Sequence, residues 1–392
     1  MSFNQYTWDL YKQTTIGIEM IKYFSDAGGY VLFKDYCPYA NFIPEDLYND
    51  WLENIYCYGV SDYDHPSLLE EAKDLYISLI TLGIRVEGQQ WLPANDFKNM
   101  LGIIQPMSYV LSQFAPEYFF PYLFLCRIFE LNKIADFFNI DLPNIPKRTD
   151  YKGRCMYYWE LCEVFYLFRK ENGLSPADLW SFLYDFAPNN LPSEKIDMPK
   201  PSQVWFIGGR LYQEDKSLES KFWQSSPETK KGDILVHYET SPISAITCIE
   251  ISLTDGVIDP LFRYYGCIYI GNRINIPHIT LKELQTDEYF FKHPLVRKNF
   301  QGVNGWSVNS ENYSELLRMI KTKGFDIEVL PKLYAPTLPK DVIIEYEHDV
   351  EQQLLEPLLN SMGWYENKDF IRQLPIQAGR GHRIFPDYAL HY

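Results

Sequence analysis

The feature that most limits the fold is a change of period at one polar, Pro-rich stretch, Asn189 to Pro201 (NNLPSEKIDMPKP). Before it, apolar residues recur every three or four positions; after it, they alternate. Spacing of three and four lines up side chains on one helix face, whereas alternation lines them up on one face of a strand. The stretch therefore reads as a linker between a helical domain and a sheet-bearing one.

Over residues 1–198 the spacing predicts an all-α domain with helices at Thr15 to Ser25, Asp46 to Tyr58, Pro66 to Leu82, Asn95 to Leu111 and Glu117 to Phe138. Gly28-Gly29, Pro38 and Pro93 interrupt the pattern, and two helical subdomains with a break near residue 145 are expected. The later part contains two helices separated by Asn172-Gly173, with Ser175 as N-cap and Pro176 at the first helical position. That spacing invites a DNA-binding reading. The second helix, however, carries Asp178, Trp180, Ser181, Tyr184 and Asp185 and no basic residue to meet a phosphate, so it reads as a packing or interaction module. The aromatic stripe Tyr157, Tyr158, Trp159, Phe165, Tyr166 and Phe168 reads as core.

Composition excludes several classes. With 31 Tyr and 25 Phe among 392 residues the chain can build ordinary cores and lacks a disorder signature. It has no apolar run of the roughly 18 residues a membrane helix needs and no secretory start, so no membrane association and a cytoplasmic location are expected. Seven scattered cysteines without a C-x-x-C pair argue for reduced thiols rather than a disulfide frame or zinc site. The formal charge of −16 works against non-specific nucleic-acid binding, which depends on neutralising phosphates. Lys+Arg against Asp+Glu is 16 to 27 over residues 1–200, 14 to 14 over 201–325 and 6 to 11 over 326–392, so any nucleic-acid contact belongs to a local pocket, most readily in the middle segment.

Residues 203 to about 324 read as a small, mostly antiparallel β-barrel with helices at its rim. The strands are expected in QVWFIGGRLY, KKGDILVHYET, SAITCIEISLTDG and YYGCIYIGNRINIP, with helical turns at Thr280 to Leu284 and Glu288 to Leu295 and a helix starting at Ser310. His237 and His278 read as packing or capping residues. In this segment Trp205, Phe222-Trp223, the KKGDILVHY block, the IPHITLKEL block, His293-Pro294 and FQGVNGWSV together resemble the EVE branch of the PUA-like fold, over residues 202–325. The resemblance implies a reader that takes a flipped, modified base into an aromatic-walled pocket, where stacking and edge hydrogen bonds offset the cost of flipping. On that basis Trp205, Trp223, Tyr238 and Trp306 are the candidate walls, and Ser241, Gln301 and Asn304 the candidate edge readers.

The last segment, 340–392, opens with an acid-rich helix start at Glu345, Glu347 and Asp349, followed by an apolar stripe at Val350, Leu354, Leu355, Leu358, Leu359 and Met362, with Gly363 at the C-cap. Two strands follow, Phe370 to Ile376 and Arg383 to Leu390, joined by Gln377 to His382. Glu351 with LLEPLLNSMGW, GRG and FPDYAL resembles the start of a PD-(D/E)XK nuclease core, as at the N-terminus of type I restriction R subunits. The resemblance implies Glu351 and Asp387 as catalytic acids, Asp387 as a Mg²⁺ ligand, and metal-dependent hydrolysis of a DNA phosphodiester. No E-x-K follows Asp387 before Tyr392, so the sequence is expected to be the front part of a longer nuclease, or a nuclease that has lost its second half.

The fold class expected is thus multidomain, α plus α+β: a helical domain, a PUA-like barrel and a partial α/β nuclease-like segment. The leading functional expectation is a bacterial restriction or defence protein that reads modified bases in DNA, acting as a homodimer or as part of a longer polypeptide. The alternatives are a non-catalytic nucleic-acid or nucleotide binding protein with a vestigial nuclease fragment, and a helical protein-interaction scaffold.

Overall fold

The computed structural model describes all residues except 1–2, 38–39, 41–42, 83–84, 87–88, 91–95, 193–197, 212–219, 335–343, 378–382, 385 and 391–392. The fold is mixed, helical in one part and built on a curled mixed sheet in the other. Two compact units divide the chain: Met1–Glu194 with Val257–Tyr265, and Lys195–Gly256 with Gly266–Tyr392.

The first unit is a helical bundle around an aromatic core that includes Trp8, Tyr76, Phe120, Tyr122, Tyr158 and Trp159, all at most 1% exposed. The longest helix among its described residues, Tyr151–Glu171, buries Tyr157, Tyr158, Trp159 and Phe165, while Tyr166 stacks on Tyr118. Ser175 caps the helix Pro176–Ser181 through a reciprocal capping box with Asp178.

One helix expectation needs correction. Glu117 to Phe138 does not form a single helix; only Ile128–Phe138 is helical. Pro121 has no N–H for a helix ladder. The neighbouring extended backbone is satisfied by side chains instead: Ser108 Oγ accepts from Tyr122 N–H at 2.8 Å, and the Tyr158 hydroxyl donates to the Phe120 carbonyl at 2.8 Å. Apolar residues run on through 119–124 because that extended stretch is buried, not because it is helical.

Segment 257–265, embedded in the predicted barrel sequence, also belongs to this helical unit. Arg154, 1% exposed, explains how it is held there. Its guanidinium donates to the carbonyls of Pro260 (2.8 Å), Phe262 (2.7 Å) and Arg148 (2.9 Å), and the rings of Tyr151 and Tyr265 lie within 5.3 Å.

Among the described residues, the main sheet of the second unit is built from β1 (Val204–Gly209), β2 (Ser220–Gln224), β3 (Ile234–Glu239), β4 (Ala245–Ser252), β5 (Gly266–Thr280) and β6 (Trp306–Val308). They lie in the order β2-β5-β4-β3-β1-β6, antiparallel except for the parallel pair β1–β3. Alternation sorts their side chains between two cores. Val204, Phe206, Ile234, Val236, Ile246 and Ile249 face a core completed by Leu284, Phe290, Leu295, Tyr313, Leu316 and Ile320 from the helical segments. Trp205, Ile207, Leu235, Ile268 and Ile270 form the other. Full burial of each such side chain contributes about 1.5–3 kcal/mol.

The sheet is curled into a half-barrel. β1 and β2 are separated by three strands in the hydrogen-bonded order, yet a Cβ placed on Gly209 would lie 2.6 Å from Trp223 Cζ2. Only glycine lets those two strands close. The helix Ser310–Thr322 starts at the expected residue and is capped by Asn309, whose Oδ1 accepts from Asn312 N–H at 2.7 Å.

The C-terminal part is a helix, Glu347–Val350 continuing through Glu351–Leu355 to Glu356–Ser361, followed by an interrupted hairpin. Gly363 ends the helix at φ +82°, and Trp364 N–H returns to the Leu359 carbonyl at 2.9 Å. In the hairpin, β7 (Phe370–Arg372) pairs with β10 (Tyr388–Leu390), and β8 (Ile376–Gln377) with β9 (Arg383–Ile384).

Candidate functional site

The two ends of β1 hold different chemistry. At its C-terminal end, the Trp223 ring lies on the Gly209 backbone with its indole N–H directed to Asn304 Oδ1 at 3.3 Å. Asn304 also clamps Gly208, accepting from its N–H at 2.8 Å and donating to its carbonyl at 2.9 Å. The loop presenting Asn304 needs Gly305, whose φ is +76° and where a Cβ would approach Ser226 N to 2.6 Å. The half-buried indole is thereby fixed on two sides.

Beneath Trp223 lies a polar layer inside the sheet. Lys221, two positions before Trp223, pairs with Glu250 Oε1 at 3.1 Å, and His237 Nδ1 meets Glu250 Oε2 at 2.9 Å. The His237 ring stands edge-to-face against Trp223 with centroids 4.7 Å apart, and Lys221 Nζ is 5.2 Å from the indole centre. Burial lowers the His237 pKa and Glu250 opposes it, leaving a net depression. For Glu250, burial raises the pKa, but His237 and Lys221 outweigh it and hold the carboxyl below its ordinary value. These directions favour an ionised Glu250 beside a neutral imidazole that donates from Nδ1; His237 Nε2 has no partner among the described residues. A bulge between His237 and Tyr238 accompanies a second contact, in which the Thr247 hydroxyl donates to Glu239 at 3.0 Å.

His237, Cys248 and Glu250 place three donor atoms within 4.8 Å of one another, close enough for one metal ion. The surroundings do not suit one. Both Glu250 oxygens are engaged by Lys221 and His237, and burial pushes the Cys248 thiol up to about 12, against the thiolate a soft metal requires.

At the N-terminal end of β1, a cleft of about 430 Å³ is bounded by Trp205 on the sheet and by Met362 and Trp364 of the C-terminal part. Trp205 Nε1 donates to Asp233 at 2.8 Å. Lys230 pairs with buried Asp369, and its ammonium is 5.5 Å from the Trp364 ring centre.

The predicted reader residues are therefore divided. Trp223 and Asn304 meet directly, while Trp205 lines the cleft at the far end of the strand. Tyr238 is 3% exposed and stacks on Phe300 at 4.0 Å in the helix-covered core, and half-buried Trp306 packs against that same core. Ser241 and Gln301 lie exposed on loops. Sequence reasoning missed Lys221, Glu250, Lys230, Asp369 and Trp364. A signal existed for the first two: Lys221-x-Trp223, His237-x-Glu239 and Cys248-x-Glu250 each put polar groups at same-face strand positions.

In the C-terminal part, Glu351 is 20% exposed on the helix, and Asp387 is exposed at the break in the hairpin, its carbonyl accepting from Gln373 N–H at 3.2 Å. Burial raises the Tyr388 phenol, with Glu351 and Glu356 adding to the effect. Arg372 occupies the same neighbourhood, paired with Glu356 and with Glu366 at 2.9 Å.

The sequence matches no family model and no curated protein. Three solved structures overlap about a third of the chain. Protein Rpa0253 from Rhodopseudomonas palustris is 14% identical, covering 31% of this chain and 94% of that one at a TM-score of 0.27. Protein Atu2648 from Agrobacterium tumefaciens is 16% identical, covering 34% and 100% at 0.28. A hypothetical protein from Leishmania major is 11% identical, covering 32% and 98% at 0.26. Scores of this size carry no functional argument. No described helix is long and apolar enough to cross a membrane.

Proposed function

We propose that the sheet of the second unit is an EVE/PUA-like reader of a modified base in DNA, and that the C-terminal helix and hairpin are part of a Mg²⁺-dependent endonuclease core. The observation supporting the reader is the Trp223 clamp: an indole fixed by Gly209, Asn304 and His237 yet still partly exposed. A base stacking on a preset aromatic face does not have to order that face on binding. Asn304, already committed to Gly208, acts in this reading as the residue that fixes the wall.

For the nuclease part, Glu351 on the helix and Asp387 on the hairpin supply carboxylate oxygens of the kind Mg²⁺ takes. Bound Mg²⁺ would polarise a phosphodiester and lower the pKa of attacking water. Asp387 would hold the ion, with Glu351 as the supporting acid.

The test is binding of the full chain to matched oligonucleotides, unmodified or carrying modified cytosines or adenines. Preference for a modified strand, weakened roughly 5- to 150-fold by Trp223→Ala, is expected from a stacking contribution of about 1–3 kcal/mol. Equal binding to every strand, or none, would sink the reader. Mg²⁺-dependent strand cleavage that Asp387→Asn abolishes supports the nuclease. Selective binding without cleavage supports the second reading, a binding protein with a vestigial nuclease segment, which is favoured by the presence of Arg372 among the acids.

A further inference from the structure

The cleft at the N-terminal end of β1 is a second place where ring faces and polar edges converge, separate from Trp223. Its volume of about 430 Å³ falls in the range of small-molecule sites, roughly 300–1,000 Å³. Trp205, 5% exposed, only edges the cleft, and Met362 and Trp364 supply apolar surface from the C-terminal part. Gln203 and Ser307 contribute an amide and a hydroxyl that meet only loosely, at 3.3 Å.

The charges decide the class of occupant. Asp233 is saturated by protein donors: Ser202 Oγ–H at 3.0 Å, Gln203 N–H at 3.1 Å, Lys230 N–H at 2.9 Å and the Trp205 indole at 2.8 Å. Asp369 is taken by Lys230 and by Tyr365 N–H at 3.0 Å. The remaining pair at the rim, Glu228 and Lys368, cancels in formal charge, and Lys368 lies 3.6 Å from Asp255. With three carboxylates against two ammonium groups around the cleft, a phosphate has no unopposed cation to bind. What remains for a ligand is aromatic surface and neutral hydrogen-bonding groups.

We propose that this cleft binds an uncharged planar heterocycle of the nucleoside class, seated on the ring of Trp364 of the C-terminal part. Ring stacking supplies the attraction, and the Gln203 amide and Ser307 hydroxyl read the edge. Binding at this site is independent of base reading at Trp223.

Equilibrium dialysis of the full chain against purine and pyrimidine nucleosides, each paired with its 5′-monophosphate, tests the assignment. At least one nucleoside should bind saturably, and more tightly than its monophosphate. Affinity should fall at least tenfold in Trp364→Ala and in Ser307→Trp and stay unchanged in Trp223→Ala. Ser307 is exposed, so its larger replacement can obstruct the cleft without disturbing a core if the Trp364 variant fails to fold. The proposal is overturned if no nucleoside binds at millimolar concentration, if the monophosphate binds more tightly, if binding survives Ser307→Trp, or if Trp223→Ala removes it.

Discussion

Two buried cations, Arg154 in the helical unit and Lys221 in the sheet unit, are satisfied in opposite ways. In the helical unit, Arg154 is met by backbone carbonyls from two chain segments. In the sheet unit, Lys221 is met by a side chain, Glu250, which also holds His237. A guanidinium bound by carbonyls acts as a staple whose partners cannot be changed by substitution. An ion pair made of side chains can be replaced as a set, which leaves its chemistry open to alteration within the same fold.

Breaking one member of the sheet layer should have the largest effect. Glu250→Leu leaves Lys221 and His237 buried without their partner and should cost about 3–5 kcal/mol in urea unfolding. Replacing the set together, with Lys221→Met, His237→Phe and Glu250→Leu, should recover most of that loss, because a well-packed apolar set of similar volume is often neutral. Arg154→Met should cost about 3 kcal/mol, since three carbonyls lose a charged donor, and no second side-chain substitution should rescue it. Rescue of Arg154→Met to the same degree as the sheet set would remove the distinction.

A pH measurement sharpens the comparison further. Burial, opposed by the N–H groups of Leu261 and Phe262 and by Arg154, pushes the Asp259 carboxyl up from 3.8 to about 7. For a raised acid, the associated stability is fully present below pH 3.8 and is lost as pH rises through 7. Asp259→Asn does not ionise, so its stability relative to the parent should improve by about 2 kcal/mol between pH 5 and pH 8. Parallel unfolding curves at the two pH values check the sign; a constant difference would refute it. At the small end, Ser175→Ala should cost about 1 kcal/mol through loss of the capping box, read in the same unfolding assay.

Legibility in the sequence followed the range of the interaction. The Ser175 cap, the strand Ile234–Glu239 and the turn at Gly363 depend on neighbours within a few positions, and each is visible in the local pattern. The extended segment around Pro121 was not, because its backbone is satisfied by Ser108 and by the distant Tyr184, whose hydroxyl accepts from Leu123 N–H at 3.3 Å. The candidate site divides on the same line. Trp223 and Asn304 could be singled out as residue types suited to a reader, but their meeting depends on sheet curl. The Lys221–His237–Glu250 layer joins three strands, so the local pattern marks its polar positions but not their meeting.

The strand order also has a consequence for how the chain folds. β3, β4 and β5 pair with their sequence neighbours and can assemble as a meander soon after synthesis. β1 cannot join by that route. Its partners are Ile234 on one side and Val308 on the other, so it must wait for distant sequence to arrive. Until then Val204, Phe206 and Ile207 remain an apolar strand with unpaired edges. Sheet closure is therefore expected to come late on the folding route, and the interval before it is when this chain is most exposed to self-association.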